Sequence, residues 1–468
     1  MVTLSFNHIQ GKNGSHWNRL MREEKAKEYC IVAIDAAKYV NTAMVCTIYG
    51  DILQEPFEFD GSMTGYQLMK KYIDSVCEAY SLSQVIVGIE TTAHYYEDLV
   101  RLCMDEGYVV RILNAATTAR ERETVLNYTK TDRVDLMAIV QSLLHGRGGT
   151  SVESILELES LKTLTRARRT LVNTQTRTIN HLRLYMDHIF REFQGKNVKV
   201  EGENKVIKIL DQFVSKTSLF LMRNHPHPSD ILTLGKMGLR EISIENNLKL
   251  RDDVIERLLD YAEHSISKPK SLLESELILL QLKLDEYELI HRQIKQLEEV
   301  IEGKLLETDG GILLSIPGLG ITTAAELTAE IGNVHDYSHA GQLIKMAGTN
   351  PIVRQSGGKK ANHYRISKQG RAAFRNVVYQ VGKNVSVQNP EMKVRYLAMK
   401  DKGKKAGQSY IALGNRILRI AFAMINNQQL YKSSEPDYCL EKVIAGKLRN
   451  TNKQKLFNQR YLKEVEEL

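Results

Sequence analysis

Residues 31–35 read Ile31-Val32-Ala33-Ile34-Asp35, an apolar run that ends on an acid. A second run, Val85-Ile86-Val87-Gly88-Ile89-Glu90, ends in the same way, and a third segment, Thr131-Asp132-Arg133-Val134-Asp135, contributes two more acids. Carboxylates beside buried strands are costly unless a cation neutralises them. Because hard cations such as Mg²⁺ prefer oxygen ligands, the four acids Asp35, Glu90, Asp132 and Asp135 predict a divalent-metal site for phosphoryl transfer.

Strand and helix patterns surround these acids. Three strand patterns lie between residues 30 and 59, a helix pattern covers 65–80, and strands at 85–89 and 108–113 then alternate with helices. This order predicts an α/β domain with a mixed sheet. Asp35 and Glu90 then lie on neighbouring strands, and Asp132 and Asp135 share one helix face. Two metal ions held about 4 Å apart by such carboxylates give the geometry of ribonuclease-H-type nucleases.

Each acid also has a simpler structural interpretation. Asp132 could be a helix N-cap with Asp135 in the third-position capping role. Glu90 could simply end its strand before the polar pair Thr91-Thr92. Asp35 is harder to explain in this way, since an acid inside an apolar run needs a partner. The joint pattern favours the metal site.

Composition bounds the class of protein. The chain has 468 residues, enough for two or three domains, and no apolar run approaches the roughly 18 residues that span a bilayer. Its start lacks the pattern of a secretion signal. The five cysteines form no Cys-x-x-Cys pair, so structural zinc and a disulfide framework are not expected. We therefore expect a cytoplasmic protein without a membrane partner.

Positive charge is concentrated in the C-terminal part. Residues 337–434 hold 18 lysines and arginines but only two acids, Glu391 and Asp401. The net charge of this window is therefore about +16. The rest of the chain carries about −8, which gives the total of +8. A basic block of this size beside an acidic metal site predicts nucleic-acid binding. The alternative is a solvated surface with surplus lysine.

A helical region is expected from about residue 150, where the strand patterns end. Long helices are predicted at 154–190 and 272–306, with shorter ones at 205–213 and 253–264. The second long helix has an apolar seam at Leu273, Leu277, Leu280, Leu284, Tyr287, Ile290, Ile294, Leu297 and Ile301. Its repeat predicts a coiled coil. The seam could pack within the chain or form a dimer.

Two glycine-containing loops follow. Ile316-Pro317-Gly318-Leu319-Gly320 resembles a helix-hairpin-helix turn, in which Gly318 and Gly320 would offer backbone N–H groups to a phosphate. Ser356 lies between Arg354 and the run Gly357-Gly358-Lys359-Lys360. Glycines allow close backbone approach, and cations could stabilise a phosphoryl transition state. From spacing alone, however, a serine in a loop is far more often structural than nucleophilic.

The order of these motifs is specific. The segments 88–96, 130–135, 316–320 and 355–359 resemble the DEDD transposases of the insertion-sequence one-ten family, the bridge-RNA-guided recombinases. The similarity covers roughly residues 28 to 430. It departs at Ala93, where many relatives carry glycine, and residues 195–250 are hard to align.

The resemblance implies a function. It assigns the metal-binding acids to Asp35, Glu90, Asp132 and Asp135, and the nucleophile to Ser356, which would form a covalent phosphoserine link to DNA. It implies Mg²⁺, donor and target DNA, a structured guide (bridge) RNA from the same element, and homodimers that assemble into tetramers in the bacterial nucleoid. Nucleic-acid contacts are expected at Arg354, Lys359, Lys360, Arg365, Lys368, Arg371, Arg166 and Arg169, with backbone phosphate contacts at Gly318, Gly320, Gly357 and Gly358.

The implied architecture has five parts. They are an N-terminal arm (1–27), a RuvC-like acidic domain (28–150), a helical coiled-coil segment (151–308), a mainly helical serine-bearing transposase domain (309–434) and a charged tail (435–468). Two other functions remain open from the residues themselves. One is a Holliday-junction-type nuclease that uses water, with Ser356 structural. The other is a non-catalytic RNA- and DNA-binding scaffold, with the acids only capping and pairing.

Overall fold

The computed structural model describes residues 27–91, 95–124, 131–148, 153–200, 203–352, 355–356, 359–360 and 365–462. The expected N-terminal arm therefore lies almost wholly outside the described residues. Among the helices in these ranges, none combines the length and apolarity that crossing a bilayer requires.

A five-stranded mixed sheet forms the N-terminal unit, as predicted. Its strands in spatial order are β3-β2-β1-β4-β5. β1 pairs antiparallel with β2 and parallel with β4, β2 pairs antiparallel with β3, and β4 pairs parallel with β5. The strands are β1 (Tyr29–Asp35), β2 (Val40–Thr47), β3 (Ile52–Asp60), β4 (Gln84–Glu90) and β5 (Val109–Leu113).

Helices cover both faces of this sheet. They are α1 (Met63–Tyr80), α2 (Tyr96–Asp105), α3 (Ala115–Thr124) and α4 (Asp132–Leu144). Side chains of β1 alternate between the faces, because successive strand residues point in opposite directions. Val32 and Ile34 join the cluster with α1 and α2, whereas Ile31 and Ala33 join the cluster with α4. Burial on both faces explains why β1 and β4 are continuously apolar.

The middle of the chain is helical with one exception. It contains α5 (Glu153–Ile189), β6 (Lys196–Val200), β7 (Glu203–Ile207), α6 (Lys216–Asn224), α7 (Pro228–Glu245), α8 (Asp252–Glu263) and α9 (Glu274–Leu306). The helix predicted at 205–213 is wrong, as is the absence of strands after residue 150. β6 and β7 form an antiparallel hairpin in which Val206 pairs with Asn197. Val206 and Ile207 are β-branched and favour the strand.

The apolar seam of α9 packs inside the chain. Leu280, Leu284 and Tyr287 lie in one buried cluster with Leu182 and Met186 of α5. Further along, Ile301 of α9 is buried in the C-terminal cluster together with Leu161 of α5. The two long helices contact each other along this seam. The intramolecular helix pair therefore accounts for the predicted coiled-coil pattern.

The C-terminal unit is mainly helical. A 3₁₀ helix (Asp309–Ser315) precedes α10 (Ile321–Ile331), α11 (Ala340–Ala347), the short strands β8 (Gln355–Ser356) and β9 (Lys359–Lys360), α12 (Ala372–Gln388), α13 (Pro390–Asp401), α14 (Ala406–Asn427), α15 (Leu440–Lys447) and α16 (Thr451–Tyr461). The segment expected as a charged tail contributes Ile444, Leu448 and Phe457 to the buried core. Its two helices are thus packed on this unit.

Helices α12 and α14 approach each other closely at two glycines, Gly382 and Gly414. This close contact gives a prediction. A Cβ atom on Gly382 would lie 1.8 Å from the Tyr410 carbonyl oxygen. Gly382→Ala must separate the helices, so we expect a loss of about 1–3 kcal/mol in the free energy of unfolding. Denaturant unfolding measures it. Gly407→Ala is the control, because its Cβ would make only ordinary contact, 3.8 Å from Tyr379. Equal stability of G382A and wild type would contradict the close packing.

Candidate active site

Two of the predicted acids end neighbouring parallel strands. Ile34 of β1 pairs with Ile89 of β4, so the next residues, Asp35 and Glu90, stand side by side at the carboxyl edge of the sheet. Asp35 is half-buried, and Glu90 is buried with 9% of its surface exposed. The edge of a parallel pair thus brings together two carboxylates that are 55 residues apart in sequence.

The first turn of helix α4 places the other two acids, Asp132 and Asp135, toward the same edge of the sheet. The C-terminal residue of α4, Leu144, lies against Gly50 in the turn after β2, where Thr47 pairs with Cys30 at the start of β1. The N-terminus of α4 therefore lies toward the end of β1. Its N-cap is Thr131, whose hydroxyl accepts a hydrogen bond from the Val134 N–H. The alternative of Asp132 as the N-cap is therefore wrong, and Asp132 and Asp135 occupy the first helical turn.

Helix α3 contacts two of these carboxylates. The Thr118 hydroxyl donates a hydrogen bond to Glu90 Oε2 at 2.7 Å. Arg122 Nη1 donates to Asp135 Oδ1 at 2.5 Å, and Asp135 is only 4% exposed. Thr118 and Arg122 are four residues apart and share one face of α3. Sequence reasoning missed both residues, and their spacing on the helix between the strand and the acidic segment was the available signal.

The donor chemistry suits a hard cation, but two of the acids, Glu90 and Asp135, accept hydrogen bonds from α3 in this arrangement. Carboxylate oxygens are the preferred ligands of Mg²⁺. Within the described ranges, no group of three or more His, Cys, Asp or Glu side chains is placed to hold a metal ion. Asp132 is exposed, and the positive charge beside Asp135 is the Arg122 guanidinium. The four acids thus share one end of the sheet without forming a ready cage.

The predicted serine lies in a small hairpin. Ser356 pairs with Lys359, and Gln355 pairs with Lys360, in an antiparallel arrangement. Gly357, Gly358 and Arg354 lie outside the described residues, and the description of Ser356, Lys359 and Lys360 covers their backbone. The hairpin chemistry therefore remains a prediction from the sequence.

Hydrogen bonds between the two strands hold the base of this hairpin. Backbone hydrogen bonds join Ile352 N–H to the Arg365 carbonyl at 2.8 Å, Ser367 N–H to the Asn350 carbonyl at 2.9 Å and Lys368 N–H to the Gly348 carbonyl at 3.0 Å. The Ser367 hydroxyl donates to Asn350 Oδ1 at 2.6 Å. We call residues 348–368 the serine hairpin. Its base is thus fixed to the fold on both strands.

Helix α14 adds a further anchor to the hairpin base. The Thr349 hydroxyl donates to Asn415 Oδ1 at 2.5 Å, and Asn415 Nδ2 donates back to the Thr349 carbonyl at 3.2 Å. Thr349 is buried, so these hydrogen bonds are shielded from water. Helix α14 thereby restrains the strand that leads to Ser356.

The predicted nucleic-acid contacts differ in their surroundings. Arg365 and Lys368, at the hairpin base, are exposed to solvent. Arg166 and Arg371 both form ion pairs with Glu330, and Arg169 forms one with Glu326. Three of the guanidinium groups are thus already paired with acids, although Arg166 is exposed to solvent. Their contact with nucleic acid stays a prediction.

The glycine turn before α10 is packed on one side. Gly318 has a φ of +90° and is buried, and a Cβ on it would lie 3.2 Å from Val385 Cα of α12. Gly320 is exposed and is the N-cap residue of α10. The residues before the turn form a 3₁₀ helix rather than an α-helix. Of the two glycines, Gly320 is the one placed to meet a ligand, and phosphate contact remains a prediction.

Comparisons with known proteins identify the class and the family. Residues 32–191 match the DEDD transposase model of the IS110 type, described as "Transposase", and residues 310–397 match the model "Transposase IS116/IS110/IS902 family". The first match holds the acid-bearing sheet and the second holds the serine hairpin. Together the two ranges cover just over half of the chain. The chain is a DNA transposase, an enzyme of DNA recombination. It belongs to the IS110 family of DEDD transposases.

Individual relatives agree with this assignment. The chain is 23% identical over 345 residues to the "Insertion element IS116 uncharacterized 44.8 kDa protein" of Streptomyces clavuligerus, which covers 72% of this chain and 82% of that one. It is 24% identical to the "Transposase for insertion sequence element IS1111A" of Coxiella burnetii, over 52% of this chain and 63% of that one. It is 29% identical to the "Pilin gene-inverting protein" of Moraxella bovis, over 25% of this chain and 37% of that one.

Proposed function

We propose that this transposase is an RNA-guided recombinase that exchanges DNA strands through a covalent ester on Ser356, assisted by Mg²⁺ on the four acids. One observation carries the proposal most directly. The backbone of Ser356 lies in a hairpin whose base is fixed to α14 and to its own strands. A nucleophile needs such a fixed position, because small misplacements of reacting atoms cost large factors in rate. The name of the pilin gene-inverting relative, which describes a DNA rearrangement, also supports recombination.

The chemistry exchanges one ester for another. The Ser356 hydroxyl oxygen attacks the scissile phosphorus, and the hydroxyl proton passes to a base or to solvent. The bond between phosphorus and the leaving DNA oxygen breaks, and that oxygen takes up a proton. Attack by the hydroxyl of a second DNA end then releases Ser356 and completes the exchange. Because the number of phosphodiester bonds is conserved, strand exchange needs no external energy source.

The acids are the proposed metal ligands. A bound Mg²⁺ would offset charge on the phosphate as it reacts. Asp35 and Glu90 offer adjacent oxygens at the sheet edge, and Asp132 and Asp135 offer oxygens from the first turn of α4. Arg122 occupies Oδ1 of Asp135, so a metal ion would compete with the guanidinium for this carboxylate. The exposed basic groups at the hairpin base, Arg365 and Lys368, would hold other phosphates of the same DNA.

Replacement of the Arg122 guanidinium by Mg²⁺ at Asp135 can be measured through its effect on thermal stability. Arg122→Ala removes the guanidinium that faces the buried Asp135, and this change is expected to lower the free energy of unfolding. We expect Mg²⁺ to replace the lost charge, so that Mg²⁺ raises the melting temperature of R122A more than that of wild type. Calorimetric melting with and without Mg²⁺ tests this. Arg101→Ala, which removes exposed ion pairs on α2, is the control. An equal Mg²⁺ effect in R122A and R101A would argue against a metal at Asp135.

Guide RNA and assembly complete the proposal. The window 337–434, with about +16 of charge, can neutralise many phosphates at once. We propose that it holds donor and target DNA together with a bridge RNA, and that dimers assemble into a tetramer in the bacterial cytoplasm. We keep the five-part division of the chain, with boundaries near residues 28, 151, 309 and 435, as part of this proposal.

Co-purification tests the RNA directly. Protein expressed with the transcript that flanks its element is expected to carry a discrete RNA, whose binding weakens steeply as salt rises because released counterions drive it. Sequencing of the bound RNA and a salt titration measure both features. Expression with an unrelated transcript of equal length is the control. Recombination of DNA by RNA-free protein would refute guidance.

A further inference from the structure

A cluster of ion pairs around two buried acids joins α5, α10 and the start of α12. Two acids of α10, Glu326 and Glu330, are only 8% and 3% exposed. The arginines that face them are Arg166, Arg168 and Arg169 of α5 and Arg371 at the N-terminus of α12. Buried carboxylates are costly unless they are paired and hydrogen-bonded. A cluster of this kind therefore depends on each of its partners.

Glu330 is the member that connects two arginines from different elements. Its Oε1 accepts hydrogen bonds from Arg166 Nε at 3.0 Å and Nη2 at 2.8 Å. Its Oε2 lies 3.3 Å from Arg371 Nη1, and its backbone carbonyl accepts a hydrogen bond from Arg371 Nη2 at 2.7 Å. Burial, together with the charges of Arg371 and Arg166, lowers the pKa of the nearby Lys162. The Glu330 carboxylate thus supplies negative charge that offsets the positive charges of Arg166, Arg371 and Lys162.

Arg371 in turn closes the serine hairpin. The backbone N–H of Arg371 donates a hydrogen bond to the Met346 carbonyl at 2.9 Å. Three residues earlier, the backbone N–H of Lys368 donates to the Gly348 carbonyl. Between them, Gly370 lies so close to α11 that a Cβ there would be 2.2 Å from the Met346 carbonyl oxygen. The segment that returns from the hairpin, residues 365–371, is therefore held against α11, and the Arg371 guanidinium also contacts Met346 Sδ of that helix. Glu330 holds that guanidinium by two separate contacts.

Glu326 is one helical turn away and provides an internal comparison. It pairs with Arg168 and Arg169 of α5, and Arg168 also pairs with Glu298 of α9. All of these partners lie on the long helices. Glu326 therefore shares the burial and charge of Glu330, but its ion pairs do not include Arg371.

We propose that Glu330 is a positioning residue for Ser356, which acts through Arg371 to fix the base of the serine hairpin against α10 and α5. This inference rests on the proposed role of Ser356. Helix α5 is the first helix after the acid-bearing α4, so Arg166 also ties the hairpin base to the helix that follows the metal-binding unit. Loss of the Glu330 charge removes the side-chain contact with Arg371 and leaves only the contact with the Glu330 backbone carbonyl. We expect this change to loosen residues 365–371, while DNA contacts on the surface are retained.

The test compares Glu330→Gln with Glu326→Gln in the full-length protein with its nucleic acids. Hydrogen exchange reports the hairpin base through the amides of Ile352, Ser367, Lys368 and Arg371. The second readout is the rate of covalent adduct formation at saturating DNA, and the third is the Kd for DNA. For E330Q we expect faster exchange at these amides, a rate about 10- to 100-fold lower and an unchanged Kd. For E326Q we expect wild-type values of all three.

Two results would overturn the proposal. The first is wild-type exchange at the hairpin base of E330Q, and the second is an equal loss of rate in E326Q. If E330Q does not fold, Arg371→Lys replaces it, because lysine keeps the charge but cannot contact the Glu330 side chain and carbonyl through two nitrogens. R371K must then show faster exchange at the amides of the hairpin base together with a lower rate of adduct formation at saturating DNA. Exchange does not depend on Ser356 chemistry. A loosened hairpin in E330Q with an adduct at another residue would therefore refute the proposed function, while the role of Glu330 in fixing the hairpin base would remain.

Discussion

Ser356→Ala is expected to abolish the covalent protein–DNA adduct and strand exchange, with a loss of roughly 10⁴-fold or more, because no other group replaces a missing nucleophile. DNA binding should persist, since the exposed Arg365 and Lys368 and the rest of the basic window are unchanged. Denaturing gels of protein–DNA adducts and a strand-exchange assay measure the two activities. Ser386→Ala is the matched control, because that hydroxyl donates only within its own helix, to the Lys383 carbonyl.

The outcome of Ser356→Ala also separates the competing functions. Retained cleavage without an adduct would identify a nuclease that uses water. A full wild-type adduct would place the nucleophile elsewhere in the chain. Loss of both adduct and exchange, with Ser386→Ala active, is the result that the serine mechanism predicts.

Asp135→Asn is expected to have the second largest effect. The substitution keeps the size of a side chain that is 4% exposed but removes the charge that a metal would need. We expect a loss of roughly 10³-fold or more in adduct formation, with DNA binding retained, because metal assistance to phosphoryl transfer is worth several kcal/mol. Single-turnover kinetics over a range of Mg²⁺ concentrations measure the loss.

Glu121→Gln is the control for burial of a charge in the same region. Glu121 is 5% exposed on α3 and pairs with His145 and Arg147, outside the proposed ligand set. E121Q should lose stability but keep its Mg²⁺ dependence. Full activity of D135N would show that the acids only cap and pair, as the scaffold alternative requires.

Much of the sheet could be predicted from the sequence because its signals are local. The run that ends at Asp35 is apolar at every position, and such a run is typical of a strand buried on both faces. The order of strands and helices then fixed which strand ends meet, so Asp35 and Glu90 were correctly expected on neighbouring strands. The long helices were predictable for the same reason, since their apolar repeats persist over many turns.

The errors and omissions lie where distant partners decide the structure. Residues 205–207 form a strand because they pair with 196–198, which a local helix pattern does not reveal. Arg122 meets Asp135 only through the packing of α3 on α4. Arg166 and Glu330 are 164 residues apart, so their ion pair could not be predicted from the local sequence, while nucleic-acid contact by Arg166 stays a prediction. Long-range ion pairs of this kind require the fold.

The central claim is that Ser356 bonds covalently to DNA, and peptide mapping tests it most directly. Protein trapped on a DNA substrate is digested with nuclease and trypsin, which cleaves after Arg354 and Lys359 and releases the peptide Gln355-Ser356-Gly357-Gly358-Lys359. Ser356 carries the only hydroxyl in this peptide. The serine mechanism predicts this peptide with the added mass of a nucleotide phosphate, fragmenting at Ser356. An adduct that maps to any other peptide, or strand exchange without an adduct, would contradict it.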